Sequence, residues 1–246
     1  MNDARPIAII AGLIVLLVGG GAWWMTRRTA APGNDSPRAV TATDAPIDKP
    51  EPPVPLPPLD QMDGFLRPLL AALSSRPELA SWLATDDLIR QLAAAIAQAS
   101  VGGSPARDFK VVAPKSPLTT AGRGRQRTIE PASYRRYDGL VGTVTSMDAS
   151  AVAKVYRTIR PRLNEAYKSM GNADRDVDNA VRNALDILLD TPIVKGRIRV
   201  VEAGALWDYA DPDLEALTPT QKQLLRMGPA HTETLLVWLR ALRNAL

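Results

Sequence analysis

The sequence predicts a mainly α protein: a single multi-helix domain with a minor β-hairpin, preceded by one transmembrane helix. Three observations predict it. From residue 59 onward, apolar residues recur three and four apart, the period of helices that bury one face. Residues 6–26 carry no charged side chain over 21 positions. Between these two regions, nine of the 27 residues from Pro32 to Pro58 are proline.

The uncharged run lies between Arg5 and Arg27-Arg28. A helix rising about 1.5 Å per residue crosses the roughly 30 Å hydrocarbon layer in such a length. Trp23 and Trp24 fall where aromatic rings favour the headgroup layer. A cleavable leader is the rival, with an apolar core of about 7–15 residues and a small-residue site close behind. Here Trp-Trp-Met-Thr-Arg-Arg intervenes before Thr29-Ala30-Ala31, so residues 1–28 are expected to stay as an anchor in the lipid bilayer through residues 6–26. Arg27 and Arg28 alone favour a cytoplasmic domain. The layout of short tail, span, spacer and large domain favours export, which is the expectation. Ala8, Gly12 and Gly19 share a helical face and could bring two anchors together as a weak homodimer. Residues 29–58 hold too little apolar surface to offset their ordering entropy. They are expected to form an extended linker reaching about 80 Å.

Residues 59–246 remain for one domain. Phe65, Leu66, Leu69, Leu70 and Leu73 form the first stripe, with Asp60 placed to cap it and Pro68 to kink it or mark its first turn. Ser75 to Glu78 has the pattern of a capping box and opens a short helix bearing Leu79, Trp82 and Leu83. Thr85-Asp86-Asp87 is expected to cap a helix from Leu88 to about Ala99, ended by Gly102-Gly103. Phe109 to Val112 and Arg127 to Ile129 suggest short strands of one long hairpin. One helix is expected over Pro131 to Met147, with Tyr134 and Tyr137 lining the core and their hydroxyls bonded. Asp148 and Asp176 are expected to cap the next two helices, and Arg197 to Val201 to form a strand. Thr218 to Gln221 is a second capping box. The last helix runs from about Ala230 to Ala245, with Leu235, Val237, Trp238, Leu239 and Leu242 inward.

Net charge is +4, and residues 1–58 contribute five basic and five acidic side chains, so the excess belongs to the domain. It is concentrated. Residues 104–136 carry eight Lys or Arg against Asp108 and Glu130, a local net of +6. Arg123, Arg125 and Arg127 alternate and would project to one side of an extended arm, with Arg135 and Arg136 following on the next helix. These five are the candidate anion- or partner-binding residues. The total charge is too modest to point to nucleic acid.

Several chemistries are excluded. No cysteine means no thiol nucleophile, iron–sulfur cluster or thiolate zinc site. His231 is the single histidine, with no nucleophile elbow, and no phosphate-binding or calcium loop is present. No metal or cofactor is expected. Glu165, Asp178 and Asp186 could converge as a glycosidase-like carboxylate pair. Trp207 and Tyr209, beside Asp208 and Asp211 in a non-helical stretch, could form a ring-stacking surface for sugars.

The phrases ELASWLATDDLIRQL (78–92), IEPASYRRYDGLV (129–141) and DPDLEALTPTQKQLLRMGP (211–229) occur in that order. In them the chain resembles a bacterial family of membrane-anchored proteins, domain-of-unknown-function family 3014. The resemblance covers about residues 59–246 together with the anchor-and-stalk layout. It implies fold and location, a single-pass bacterial inner-membrane protein, and brings no activity. The expected function is that of a cell-envelope module binding or scaffolding a protein partner or anionic polymer without catalysis. The alternative is a carboxylate-dependent enzyme acting on cell-wall glycan.

Overall fold

The computed structural model describes residues 55–105, 114, 116–172, 175–204 and 206–246. The expected anchor, the linker as far as residue 54, and the strand expected at Phe109–Val112 lie outside the described residues. Among the described residues no helix is long and apolar enough to cross a membrane.

The end of the linker is already held by the domain, because the Leu56 carbonyl accepts a hydrogen bond from Arg162 at 3.1 Å. A 3-10 turn (Leu59–Gln61) leads into α1 (Met62–Ala71), which buries Met62, Leu66 and Leu70 at four-residue spacing and contains Pro68 in its interior. Asp60 does not cap this helix. It pairs with Arg90 at 2.8 Å. The short helix α2 (Pro77–Leu83) starts without the expected box: its N-cap is Arg76, which makes no side-chain cap. Glu78 instead accepts from Thr143 at 3.1 Å.

The central helix is α3 (Leu88–Ser100), with Leu88, Ile89, Leu92, Ala93, Ala95, Ile96 and Ala99 buried. Its cap comes from another helix. Asp87 occupies the N-cap position in a left-handed conformation (φ 64°) and its own side chain does not close the end. Both carboxylate oxygens of Asp63 in α1 accept from the Asp87 and Leu88 amides, at 2.7 and 2.8 Å. Arg67, one turn further along α1, donates to the Leu83 and Thr85 carbonyls at 2.8 and 2.9 Å. Gly102 (φ 75°) terminates α3 as expected, and a Cβ there would stand 2.8 Å from Thr218.

The single helix expected over 131–147 is broken. Its parts are α4 (Pro131–Tyr134), a 3-10 turn (Arg135–Tyr137) and α5 (Asp138–Ser146). Asp148 caps α6 (Ala149–Ser169) and Asp176 caps α7 (Val177–Leu189), both as expected. Tyr156 of α6, fully buried, donates to Asp178 of α7, which also receives Arg160. After the short α8 (Pro212–Glu215), the capping box at Thr218 and Gln221 forms and opens α9 (Pro219–Arg226). The chain closes with α10 (Pro229–Ala245). Helix α3 packs on α6 and α7, and α10 covers α5, α6 and α7. Trp238 of α10 donates to the Met147 carbonyl at 2.7 Å. Val237, expected inward, is 60 % exposed.

The expected hairpin is one part of a four-stranded antiparallel sheet in sequential order: β1 (Thr120–Ala121), β2 (Gln126–Ile129), β3 (Arg199–Ala203) and β4 (Leu206–Tyr209). The hairpin partner of β2 is Thr120–Ala121, and its other neighbour, β3, comes from far along the chain. The register places Arg127, Val200 and Tyr209 side by side on one face. Ile129, Ile198, Val200, Tyr209 and Leu225 form a small core there, separate from the helical core.

Replacing Asp63 by Ala removes the acceptors for two α3 amides, and the expected loss is about 1–2 kcal/mol, the usual scale for a helix cap. Urea denaturation checks it. Asp63→Asn should recover part of the loss, because one oxygen remains.

Candidate anion-binding site

The basic residues divide by environment. Arg123 and Arg125 lie in the turn between β1 and β2 and are exposed. The alternation expected of an extended arm does not arise, because Gly122 and Gly124 adopt φ values of 119° and 73° and fold the chain back. Arg127 alone is in the strand, and its row faces the small core. Its Nε donates to the Gly124 carbonyl at 3.3 Å, and its guanidinium stands 5.4 Å from the centre of the Trp207 ring, a cation–π distance. Arg135 is exposed on the 3-10 turn. Lys195, Arg197 and Arg199 are also exposed, at and just before β3. The register sets Arg199 beside Thr128 on the outward face of the sheet.

Arg136 is placed differently. Its guanidinium lies over the Tyr137 ring at 4.8 Å from the centroid, donating to the Ser116 carbonyl at 3.2 Å and to the Tyr137 hydroxyl at 3.1 Å. The same hydroxyl meets the Gln223 amide of α9 at 3.2 Å. Arg226, three residues after Gln223, falls on the same side of α9 and donates to the Trp207 carbonyl at 3.3 Å. Burial pulls the Arg136 guanidinium below its ordinary pKa. The Arg226 charge acts in the same direction, while the Tyr137 hydroxyl opposes both. Two half-buried arginines thus share the seam between the helical core and the sheet core. Neither makes an ion pair among the described residues. Among the described residues the buried Arg136 Nε and Tyr134 hydroxyl have no hydrogen-bond partner. Tyr134 was expected to be bonded. Its ring instead lies against Gly228 (φ 88°), where a Cβ would stand 2.5 Å from the ring.

The ring-stacking surface does not form. Tyr209 is 4 % exposed, with its hydroxyl donated to the Lys222 carbonyl at 2.8 Å, so no sugar reaches it. Trp207 is half-buried beneath Arg127. Glu165, Asp178 and Asp186 do not converge on shared chemistry. Each is committed to a separate cation: Arg162, Arg160 and Arg243 respectively. His231 bridges the Met227 carbonyl and Asp138, at 2.8 and 3.0 Å. Among the described residues no group of His, Asp and Glu is placed to hold a metal. Sequence reasoning missed Arg226 and the Lys195–Arg199 group. The latter was legible as three cations in five residues. Arg226 resembled an ordinary cation in the last turn of a helix, and its approach to Arg136 spans 90 positions.

The chain belongs to the family described as "Protein of unknown function (DUF3014)", whose model matches residues 88–243. That match contains the seam, both basic groups and the four described strands. No curated protein and no solved structure is a significant match.

Burial holds Tyr134, Tyr137, Tyr156 and Tyr209 above the usual phenol pKa, with Asp178 adding to the effect on Tyr156. Unfolded tyrosines ionise near about pH 10. A raised native pKa contributes stability that is complete below that value and is lost as pH rises through it. Unfolding monitored by denaturant from pH 8 to 11 should therefore show a fall that begins near pH 10 and approaches about 1.4 kcal/mol per pH unit for each buried tyrosine.

Proposed function

We propose that the protein is a membrane-anchored envelope module, held by residues 6–26, whose exported domain binds an anionic polymer or acidic partner without catalysis. The binding surface is the basic end of the sheet: Arg123, Arg125 and Arg135, joined by Lys195, Arg197 and Arg199. One observation carries this reading. Arg67, Arg90, Arg160, Arg162 and Arg243 in the helical body all have carboxylate partners. Among the described residues, none of Arg123, Arg125, Arg127, Arg135 and Arg136 forms an ion pair. The first five are neutralised internally, whereas the clustered cations of the basic end are left for an external anion. Clustered exposed charge of one sign creates a field that attracts the opposite sign and is screened within about 8–10 Å at physiological salt.

Changing Arg123, Arg125 and Arg135 together to Ser tests the reading. Thermal stability of the full chain should stay within about 1 kcal/mol, since these side chains are exposed. Retention on a polyglutamate or polyphosphate matrix should fall, and the parent's retention should weaken as salt rises. Equal retention of parent and variant at low and high salt would contradict the proposal.

A further inference from the structure

We propose that the seam between Arg136 and Arg226 is a built site for a phosphoryl group. The inference rests on the reading of the basic end as an anion-binding surface and assigns a distinct position within it. The placement comes from contacts on both sides. The Arg136 terminal nitrogen and the Gln223 amide meet at one atom, the Tyr137 hydroxyl, and Arg226 follows Gln223 by one helical turn. The Glu215 carboxylate feels the Arg226 charge, but its hydrogen bonds go to Lys222 and to the Tyr209 amide. Two guanidinium charges are therefore partly withdrawn from water, and neither forms an ion pair among the described residues.

The hydrogen-bond census points the same way. What the seam lacks is acceptors. Arg136 Nε and Tyr134 O–H both have donor capacity, and neither reaches an acceptor among the described residues. An unmade bond in such a place is costly. A phosphoryl dianion answers both deficits. It carries close to two negative charges at neutral pH, matching two guanidiniums, and offers three acceptor oxygens. A carboxylate brings one charge and two oxygens. A small rotation of the Arg136 side chain presents its Nε edge, the edge through which guanidiniums hold oxyanions two-pronged. Inorganic phosphate, a sugar phosphate and a lipid headgroup share this group.

The experiment is a thermal shift of the full chain in inorganic phosphate, with chloride at matched ionic strength as reference and acetate as the carboxylate control. At tenfold over its dissociation constant, phosphate should raise Tm by about 3 °C at pH 7.5. Arg226→Gln should abolish the rise, while the Arg123, Arg125 and Arg135 triple variant should keep it and lose polyanion retention. These opposite losses separate failure of the phosphoryl site from failure of the surface. The parent's shift should also shrink between pH 7.5 and 5.5, as phosphate gives up its second charge near about pH 6 while arginine stays charged. That arm stands even if Arg226→Gln is poorly folded. Glycerol 3-phosphate equal to inorganic phosphate supports an esterified source, and inorganic phosphate alone supports a free one. A shift given equally by acetate or chloride, a shift kept in Arg226→Gln, or one indifferent to pH overturns the proposal.

Discussion

The hydroxyl of Tyr137 is the point on which the basic end depends. Its ring is fully buried in the helical core, at the 3-10 turn that breaks the helix expected over 131–147. Burial fixes the ring, the ring fixes the hydroxyl, and the hydroxyl fixes two neighbours: Arg136 from its own turn and Gln223 from α9. The Arg136 guanidinium then stands over the ring, 4.8 Å from its centroid. Helix α9 is held independently by its capping box and by Gln221, which reaches the Ile187 carbonyl at 3.0 Å. The backbone that carries Arg226 is thereby fixed, and its guanidinium is drawn to the Trp207 carbonyl. Two like charges are thus kept together by packing, against their mutual repulsion, and that is a reason to look for a ligand.

The rest of the molecule treats charge differently. In the helical body, polar side chains close backbone ends across elements. Asp63 supplies the cap that α3 lacks, and Arg67 gathers the carbonyls left open by the α2–α3 connection. Between α6 and α7, Asp178 is nearly buried yet answered by Tyr156 and Arg160. Such pairs tie elements together, although a buried ion pair contributes little beyond its desolvation cost. At the sheet end Arg123, Arg125, Arg127, Arg135 and Arg136 form no ion pair among the described residues, and their clustering within 14 positions is what gives them meaning.

Helix identity was largely legible, and helix ends only partly. Asp148, Asp176 and the Thr218–Gln221 box cap where local spacing says they should, because each closes its own helix. Asp60 and Asp87 misled because a different partner claimed one side chain and a distant group reached the other's site, and Ser75 because α2 starts one residue later, at an Arg76 N-cap. The sheet was harder. Strands of two to five residues carry almost no periodicity, and β4, sequence Leu-Trp-Asp-Tyr, has the composition of a ligand loop until Val200 is found beside Tyr209. Of the site, the excess of arginine was visible, but not its division into an exposed group and a half-buried one. That division depends on the Gly122 and Gly124 turn, the Trp207 ring under Arg127, and the chain-distant approach of α9.

The central claim is that the guanidiniums of Arg136 and Arg226 are held together for an external oxyanion. The most direct measurement follows the arginine Nε–Hε resonances of the full chain by NMR while phosphate is added. The account predicts saturable shifts of the Arg136 and Arg226 signals with one common midpoint. The signals of Arg67 and Arg90, already engaged by Asp63, Asp86, Asp60 and Asp87, should not move. Shifts that grow linearly and alike at every arginine would contradict it, since they would report ionic strength and not a site.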